Sequence, residues 1–299
     1  MDSLEALERY KDIVPDFGVF VKVQSSPLHA SVRINTLKVG RPRLLLRLDK
    51  AGVKYRVLEW YPLGLRLGPS ERPGKMAEHA LGYIHVQEVL SMVPPLILDP
   101  KPGEAILDMC SSPGSKTSQI AQAMENRGLL VANEPSMIRL KPLRFNCERL
   151  GITNVAVTRY DGQSFPDYTF DRVLVDVPCS SEGTARKDLK VLLRSGRKRS
   201  LNLQSLQVRL LKRALMLTHP GGTVVYSTCT YAPEENEAVV NQVLDLARLE
   251  KFSLLGLQSS PGLTEWNGET YSEDLKLCAR YYPHQNDTGG FFVAKLIRL

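Results

Sequence analysis

Two of the five cysteines in this 299-residue chain stand where nucleophilic chemistry could use them. Cys179 follows Leu174-Val175-Asp176-Val177-Pro178, and Cys229 follows Tyr226-Ser227-Thr228. Each apolar run reads as a short strand, so both thiols emerge at carboxyl ends of strands with small polar residues around them. A free cysteine is more often a small core residue than a reagent, and Cys110, Cys147 and Cys278 keep that reading. The spacings contain no C-x-x-C pair, which argues against a zinc site or a disulfide framework. A pair of thiols at strand ends suits a reaction that must both add a sulfur to a substrate and release it. Methylation of cytosine at C5 is such a reaction. A thiolate added to C6 makes C5 nucleophilic, an acid such as Asp176 near N3 stabilises the charge on the ring, and a second cysteine can assist release. Lys116 could make the site electropositive. Spacing alone leaves the two cysteines interchangeable.

The elements that would position them alternate strand and helix from about residue 88 onward. Strands are predicted at 105–109, 128–133, 155–160, 170–177, 223–227 and 290–297, with helices at 116–125, 138–150, 203–217 and 234–249. This pattern predicts an α/β, doubly wound, mostly parallel sheet, which binds ligands outside the carboxyl ends of its strands. Asp108, Glu134 and Asp161 close three successive strands. A carboxylate at the second position can hold ribose hydroxyls and one at the third an adenine amino group, so an adenosine-containing cofactor is expected, NAD included. The first turn, Cys110-Ser111-Ser112-Pro113-Gly114-Ser115-Lys116, is neither G-x-G-x-x-G nor a P-loop, but its small residues let a ligand approach backbone N–H groups.

Residues 1–87 read as a smaller α/β unit. It has an amphipathic opening helix around Leu4, Leu7, Ile13 and Val14, a strand at 31–37, a helix at 43–50, and strands at 55–60 and 63–67. Basic residues are dense there, and the chain as a whole has a net charge of +7, which favours a polyanionic partner. A second basic run holds Arg186, Lys187, Lys190, Arg194, Arg197, Lys198 and Arg199 directly after the Cys179 motif, and is expected to contact phosphates. Tyr160, Trp60 and Tyr61 could stack a base, although aromatics in such places more often pack; the histidines receive no role. No run is apolar enough to span a membrane and no signal peptide is read, so a cytoplasmic protein is expected.

The motifs resemble those of the NOL/NOP/Sun RNA 5-methylcytosine methyltransferases over nearly the whole chain. The matching segments are Ser31 to Lys38, Val86 to Met92, Asp108 to Thr117, Asp176-Val177-Pro178-Cys179, Ser227-Thr228-Cys229-Thr230 and Gly289-Gly290-Phe291-Phe292. The resemblance implies an RRM-like, RNA-contacting domain at 1–87 and a Rossmann-like class I methyltransferase domain at 88–299, with a mostly parallel seven-stranded sheet, that uses S-adenosylmethionine. It further implies a monomeric enzyme, independent of metal, acting on tRNA or rRNA. Cys229 would then be the nucleophile and Cys179 the releasing group. Residues 110–116 would form the cofactor loop, with Glu134, Asp161 and Asp176 contacting the cofactor or the base. Ser111-Ser112 and Ser115 stand where the family often has Ala-Ala and Gly, and Glu134 where Asp is common; both changes keep the turn and the ribose contact. Three other readings remain: a DNA cytosine methyltransferase, which would need only Cys179, a noncatalytic RNA-binding factor, and, more remotely, an NAD oxidoreductase.

Overall fold

The computed structural model describes residues 3–299, and these fall into two compact units. One holds residues 29–174 with 254–256; the other holds the chain up to Leu28, residues 175–253 and residues 257–299.

In the unit around residues 29–174, β1 (Ser31–Ile34), β2 (Tyr55–Leu58), β3 (Tyr61–Leu67) and β4 (Ile84–Val86) form an antiparallel sheet in the order β2-β3-β1-β4. Side chains alternate across a strand. Val32 and Ile34 of β1 pack with Leu44 and Leu48 of the helix Arg41–Lys50. Arg33, of opposite parity, is fully buried and donates to Gln87 Oε1 at 3.0 Å and Ser118 Oγ at 2.6 Å. The same unit continues with β5 (Ala105–Asp108), β6 (Leu129–Asn133), β7 (Val155–Thr158) and β8 (Phe170–Asp176). These run parallel in the order β8-β5-β6-β7, with Leu107 opposite both Val131 and Val173. The helices Ser115–Ala123 and Met137–Leu150 are the crossovers, the second extending through Pro142 as expected.

The other unit takes the end of β8, Val175 and Asp176, and adds β9 (Thr218–Thr228), β10 (Ala247–Leu249), β11 (Ser260–Pro261), the isolated hairpin β12 (Glu265–Trp266) and β13 (Glu269–Thr270), β14 (Ala279–Tyr281) and β15 (Phe291–Arg298). Here the strands are antiparallel, in the order β11-β14-β15-β9 with β10 also on β15. With β8 counted once, the strands of the mixed sheet number nine, against seven expected. Three of its strands, β10, β11 and β14, lie outside the six segments read as strands from residue 88 onward and are only two or three residues long. This is the α/β arrangement that the strand–helix alternation implied, and the Rossmann-like fold that the resemblance implied.

Two elements differ from the sequence reading. The opening segment is a 3-10 helix, Ser3–Tyr10, followed by the helix Phe17–Gln24. Its apolar residues Leu7, Tyr10 and Val14 still pack inward, against Phe20, Tyr231, Trp266 and Tyr282. The helix expected over 234–249 shrinks to Glu237–Val240 with a 3-10 turn at Asn241–Val243. The reason is chemical: Asn236 accepts from Thr228 Oγ1 at 2.6 Å and donates to Thr230 O at 3.1 Å. Glu237 is fully buried against Arg280, whose Nε lies 2.6 Å away. Side chains committed to such distant partners hold the backbone out of a regular helix. Among the described residues, no helix is long and apolar enough to cross a membrane.

Candidate active site

The unit of residues 29–174 shapes the turn after β5. Asp108, buried, accepts from Thr117 Oγ1 at 2.7 Å, which ties the strand end to the first helical turn across the loop. Ser111 is held twice by Asn133 O, through its N–H at 3.0 Å and its hydroxyl at 2.9 Å. The turn closes with Gly114 N–H on Ser111 O at 2.7 Å. Gly114 has φ +99°, a backbone conformation that favours glycine. Cys110, Ser112 and Ser115 are half-buried beside the exposed Pro113, and Ser112 Oγ donates to Arg139 O at 2.8 Å. Lys116 is half-buried and donates to Ser91 Oγ at 3.0 Å.

Asn133, which sequence reasoning passed over, organises the three strand ends. Its amide donates to Met109 O and Tyr160 O at 3.2 and 3.0 Å, and its carbonyl accepts from Thr158 Oγ1 and Tyr160 N–H at 3.1 and 2.9 Å. Its neighbour Glu134 is 2% exposed; it accepts from Ser136 N–H at 2.9 Å and lies 3.4 Å from Arg139. Asp161 is exposed and accepts from Gln163 N–H at 3.1 Å. His85, assigned no role from sequence, supports the turn: Arg149 donates to its Nδ1 at 2.9 Å, so Nε2 carries the hydrogen and donates to Ser115 Oγ at 2.9 Å. Burial first, and then Arg33 and Arg149, hold the His85 pKa well below the ordinary histidine range, so the ring is neutral.

The other unit carries the cysteines. The half-buried Asp176, at the end of β8, accepts from Ser227 Oγ at 2.7 Å. Cys179 and Cys229, both half-buried, place their Sγ atoms 3.3 Å apart. Their two loops are locked together, with Gly183 N–H on Cys229 O at 2.9 Å and Gly290 N–H on Gly183 O at 2.8 Å. A Cβ on Gly183 would fall 2.2 Å from Gly290 O. Below the thiols runs a buried chain of hydroxyls: Ser180 Oγ lies 2.7 Å from Thr230 Oγ1, which donates to Glu182 at 3.0 Å, and Tyr10 OH donates to the same carboxyl oxygen at 2.5 Å. Burial raises the pKa of Glu182 above the usual carboxylate range. The Cys179 thiol is held well above its usual range, first by its hydrogen bond with Cys229, then by burial, and then by the charges of Cys229 and Glu235.

The basic run after Cys179 divides. Arg186 was expected at phosphates, but it is buried, donating to Ser26 O, Thr288 O and Pro27 O at 3.2, 3.0 and 3.2 Å and pairing with Asp287 at 2.8 Å. Its donors are spent on backbone. Lys187, Lys190, Arg194, Arg197, Lys198 and Arg199 are exposed. Of the aromatics considered for stacking, Tyr61 is buried against Trp60, with ring centroids 6.1 Å apart, whereas Tyr160 stays 47% exposed.

A parallel set of strands with a small-residue turn after the first and acids just beyond the next two is a Rossmann-like arrangement suited to an adenosine-containing cofactor, and the relatives of the chain specify a methyltransferase. The chain belongs to the family described as 16S rRNA methyltransferase RsmB/F, whose model matches residues 95–297. It is 40% identical over 296 residues to the tRNA (cytosine(49)-C(5))-methyltransferase of Pyrococcus abyssi, covering 97% of this chain and 94% of that one. It is 36% identical to the 25S rRNA (cytosine-C(5))-methyltransferase nop2 of Schizosaccharomyces pombe, covering 94% of this chain but 48% of that longer protein. Among solved structures, a methyltransferase homolog protein from Pyrococcus horikoshii superposes with TM-score 0.88 at 34% identity over 99% of both chains. NSun6 from Pyrococcus horikoshii, solved with SFG, does so with TM-score 0.85 at 25% identity over 98% of this chain and 97% of that one.

Proposed function

We propose that the protein methylates C5 of a cytosine in tRNA or rRNA through a covalent bond between Cys229 Sγ and C6 of the base. The observation that carries this reading is the 3.3 Å contact between the two thiols. In this reading Cys229 attacks as the thiolate, and the Cys179 S–H steadies it.

When bound, S-adenosylmethionine supplies the methyl group as an electrophilic sulfonium. The turn 110–116 would hold it. The buried carboxyl of Glu134 has acceptor capacity left for ribose hydroxyls, and Asp161 stands ready for the adenine amino group. On the base, Cys229 Sγ bonds to C6, and the ring electrons move toward N3, where Asp176 donates a proton; Ser227 orients that carboxyl. C5 takes the methyl group and then gives up its own proton to solvent. The C6–S bond breaks and its electron pair leaves on Cys229 Sγ with Cys179 as hydrogen-bond partner; the C5–C6 double bond returns, and N3 gives its proton back to Asp176.

The exposed Lys187 to Arg199 run supplies phosphate contacts, as do Arg43, Lys50, Lys54 and Arg56 on the small sheet unit within residues 1–87, which we read as the RNA-contacting domain ahead of a catalytic domain at 88–299. Bisulfite sequencing of total RNA from cells with and without the gene tests the reading. One or more cytosines should lose protection when the gene is removed, and an unchanged protection map refutes it.

A further inference from the structure

The loop that carries Cys179 is gripped on both sides of the cysteine by two buried residues distant in sequence. Gln207, in the helix Arg197–Met216, donates through Nε2 to Pro178 O at 2.9 Å, directly before Cys179. The same amide nitrogen donates to Glu235 Oε2 at 2.9 Å. Glu235 Oε2 in turn accepts from Ser180 N–H at 2.9 Å, directly after Cys179. Both side chains are fully buried. The other carboxyl oxygen, Glu235 Oε1, has no hydrogen-bond partner, and no Lys or Arg pairs with the residue among those described.

The two side chains thus bond the backbone directly before and directly after the cysteine, and removing either leaves a buried backbone group without its partner.

We propose that Glu235 and Gln207 are positioning residues for Cys179, fixing the Pro178-Cys179-Ser180 backbone so that the thiol stays against Cys229 for the release step. Neither residue touches the substrate. The ionisable groups that act on Cys179 are Cys229 across the sulfur contact and Glu235 beneath the loop. Glu182, on the following turn, is bonded instead to Tyr10 and Thr230. The inference rests on the assignment of release to Cys179.

The test compares Gln207→Ala, Glu235→Ala and Glu235→Gln with Cys179→Ser. Total RNA from cells lacking the gene and radiolabelled S-adenosylmethionine are the substrates, and denaturant-stable protein–RNA adduct and multiple-turnover rate are the readouts. The two alanine variants should slow turnover by about tenfold or more, the scale of one hydrogen bond to a charged group. They should accumulate adduct as Cys179→Ser does, with KM for the cofactor unchanged. Glu235→Gln keeps an acceptor for Ser180 N–H, so it should fold and restore most of the turnover at neutral pH. Glu235→Gln also decides the matter if the alanine variants do not fold: restored turnover with an unchanged cofactor KM supports positioning, and a folded Glu235→Gln protein with turnover lost refutes it. Folded alanine variants with wild-type turnover and no accumulated adduct refute the proposal, as does loss of adduct formation. If Cys179→Ser itself accumulates no adduct, the assignment of release to Cys179 fails first, and separately.

Discussion

Replacing Asn133 with alanine removes the one side chain that bonds the ends of three parallel strands, and the cost can be worked from its contacts. Its amide and carbonyl make four hydrogen bonds, three of them to backbone groups of Met109 and Tyr160. Each such bond is worth about 1 kcal/mol net, so the loss of the three backbone partners comes to about 3 kcal/mol. At roughly 2 °C per kcal/mol for a domain of this size, the melting temperature should fall by about 6 °C. The strand ends also set the path of the turn at 110–116 and the position of Glu134, so cofactor affinity should drop by about tenfold or more, which is 1.4 kcal/mol. Asn133→Asp sharpens the test. An ionised aspartate can still accept from Tyr160 N–H and Thr158 Oγ1, but it cannot donate to Met109 O or Tyr160 O, and it buries a charge. It should therefore be worse than alanine at neutral pH and improve as pH falls and the carboxyl protonates. Thermal melts and equilibrium dialysis with labelled S-adenosylmethionine give both quantities. An Asn133→Ala protein that melts within about 1 °C of the wild type and binds the cofactor equally well would refute the reasoning.

Two further outcomes follow from the other unit. Arg186→Ala should lower thermal stability while leaving the salt dependence of RNA binding unchanged, whereas a Lys198→Ala, Arg199→Ala double variant should do the reverse and reduce the log–log salt slope by about 2. Glu182 has a folded-state pKa raised by burial. Its stabilising contribution is therefore fully present below the pKa of an unfolded glutamate and is lost as pH rises through the folded value. Glu182→Gln, which keeps an acceptor for Tyr10, should remove that loss and flatten the stability profile above the ordinary glutamate range, as read from melts across pH.

Period and punctuation carried the parts of the fold that are local. The strands ending at Asp108, Asn133, Thr158 and Asp176 are short apolar runs, and the crossover helices show their own repeat, so both survive without tertiary information. Placing Cys179 and Cys229 at strand ends needed nothing more. What could not be read is what joins residues far apart in the chain. Tyr10 reaches Glu182 across 172 positions, and Gln207 and Glu235 grip Pro178 and Ser180. No spacing rule marks such partners, because buried polar groups are matched in space and not along the chain. The same blindness explains the misread segments. Glu234 to Leu249 carries a helical apolar repeat, but Asn236 and Glu237 are spent on Thr228 and Arg280. Arg186 belongs by composition to an exposed basic run, yet it donates to three backbone carbonyls from two distant segments.

The central claim is the division of labour between the two thiols, and trapping the covalent intermediate tests it most directly. Wild-type protein, Cys229→Ser and Cys179→Ser are each incubated with S-adenosylmethionine and total RNA from cells lacking the gene, then run on a denaturing gel. The geometry predicts a stable protein–RNA band for Cys179→Ser, none for Cys229→Ser and only a faint one for the wild type. A stable band with Cys229→Ser that disappears with Cys179→Ser would reverse the assignment and contradict the account.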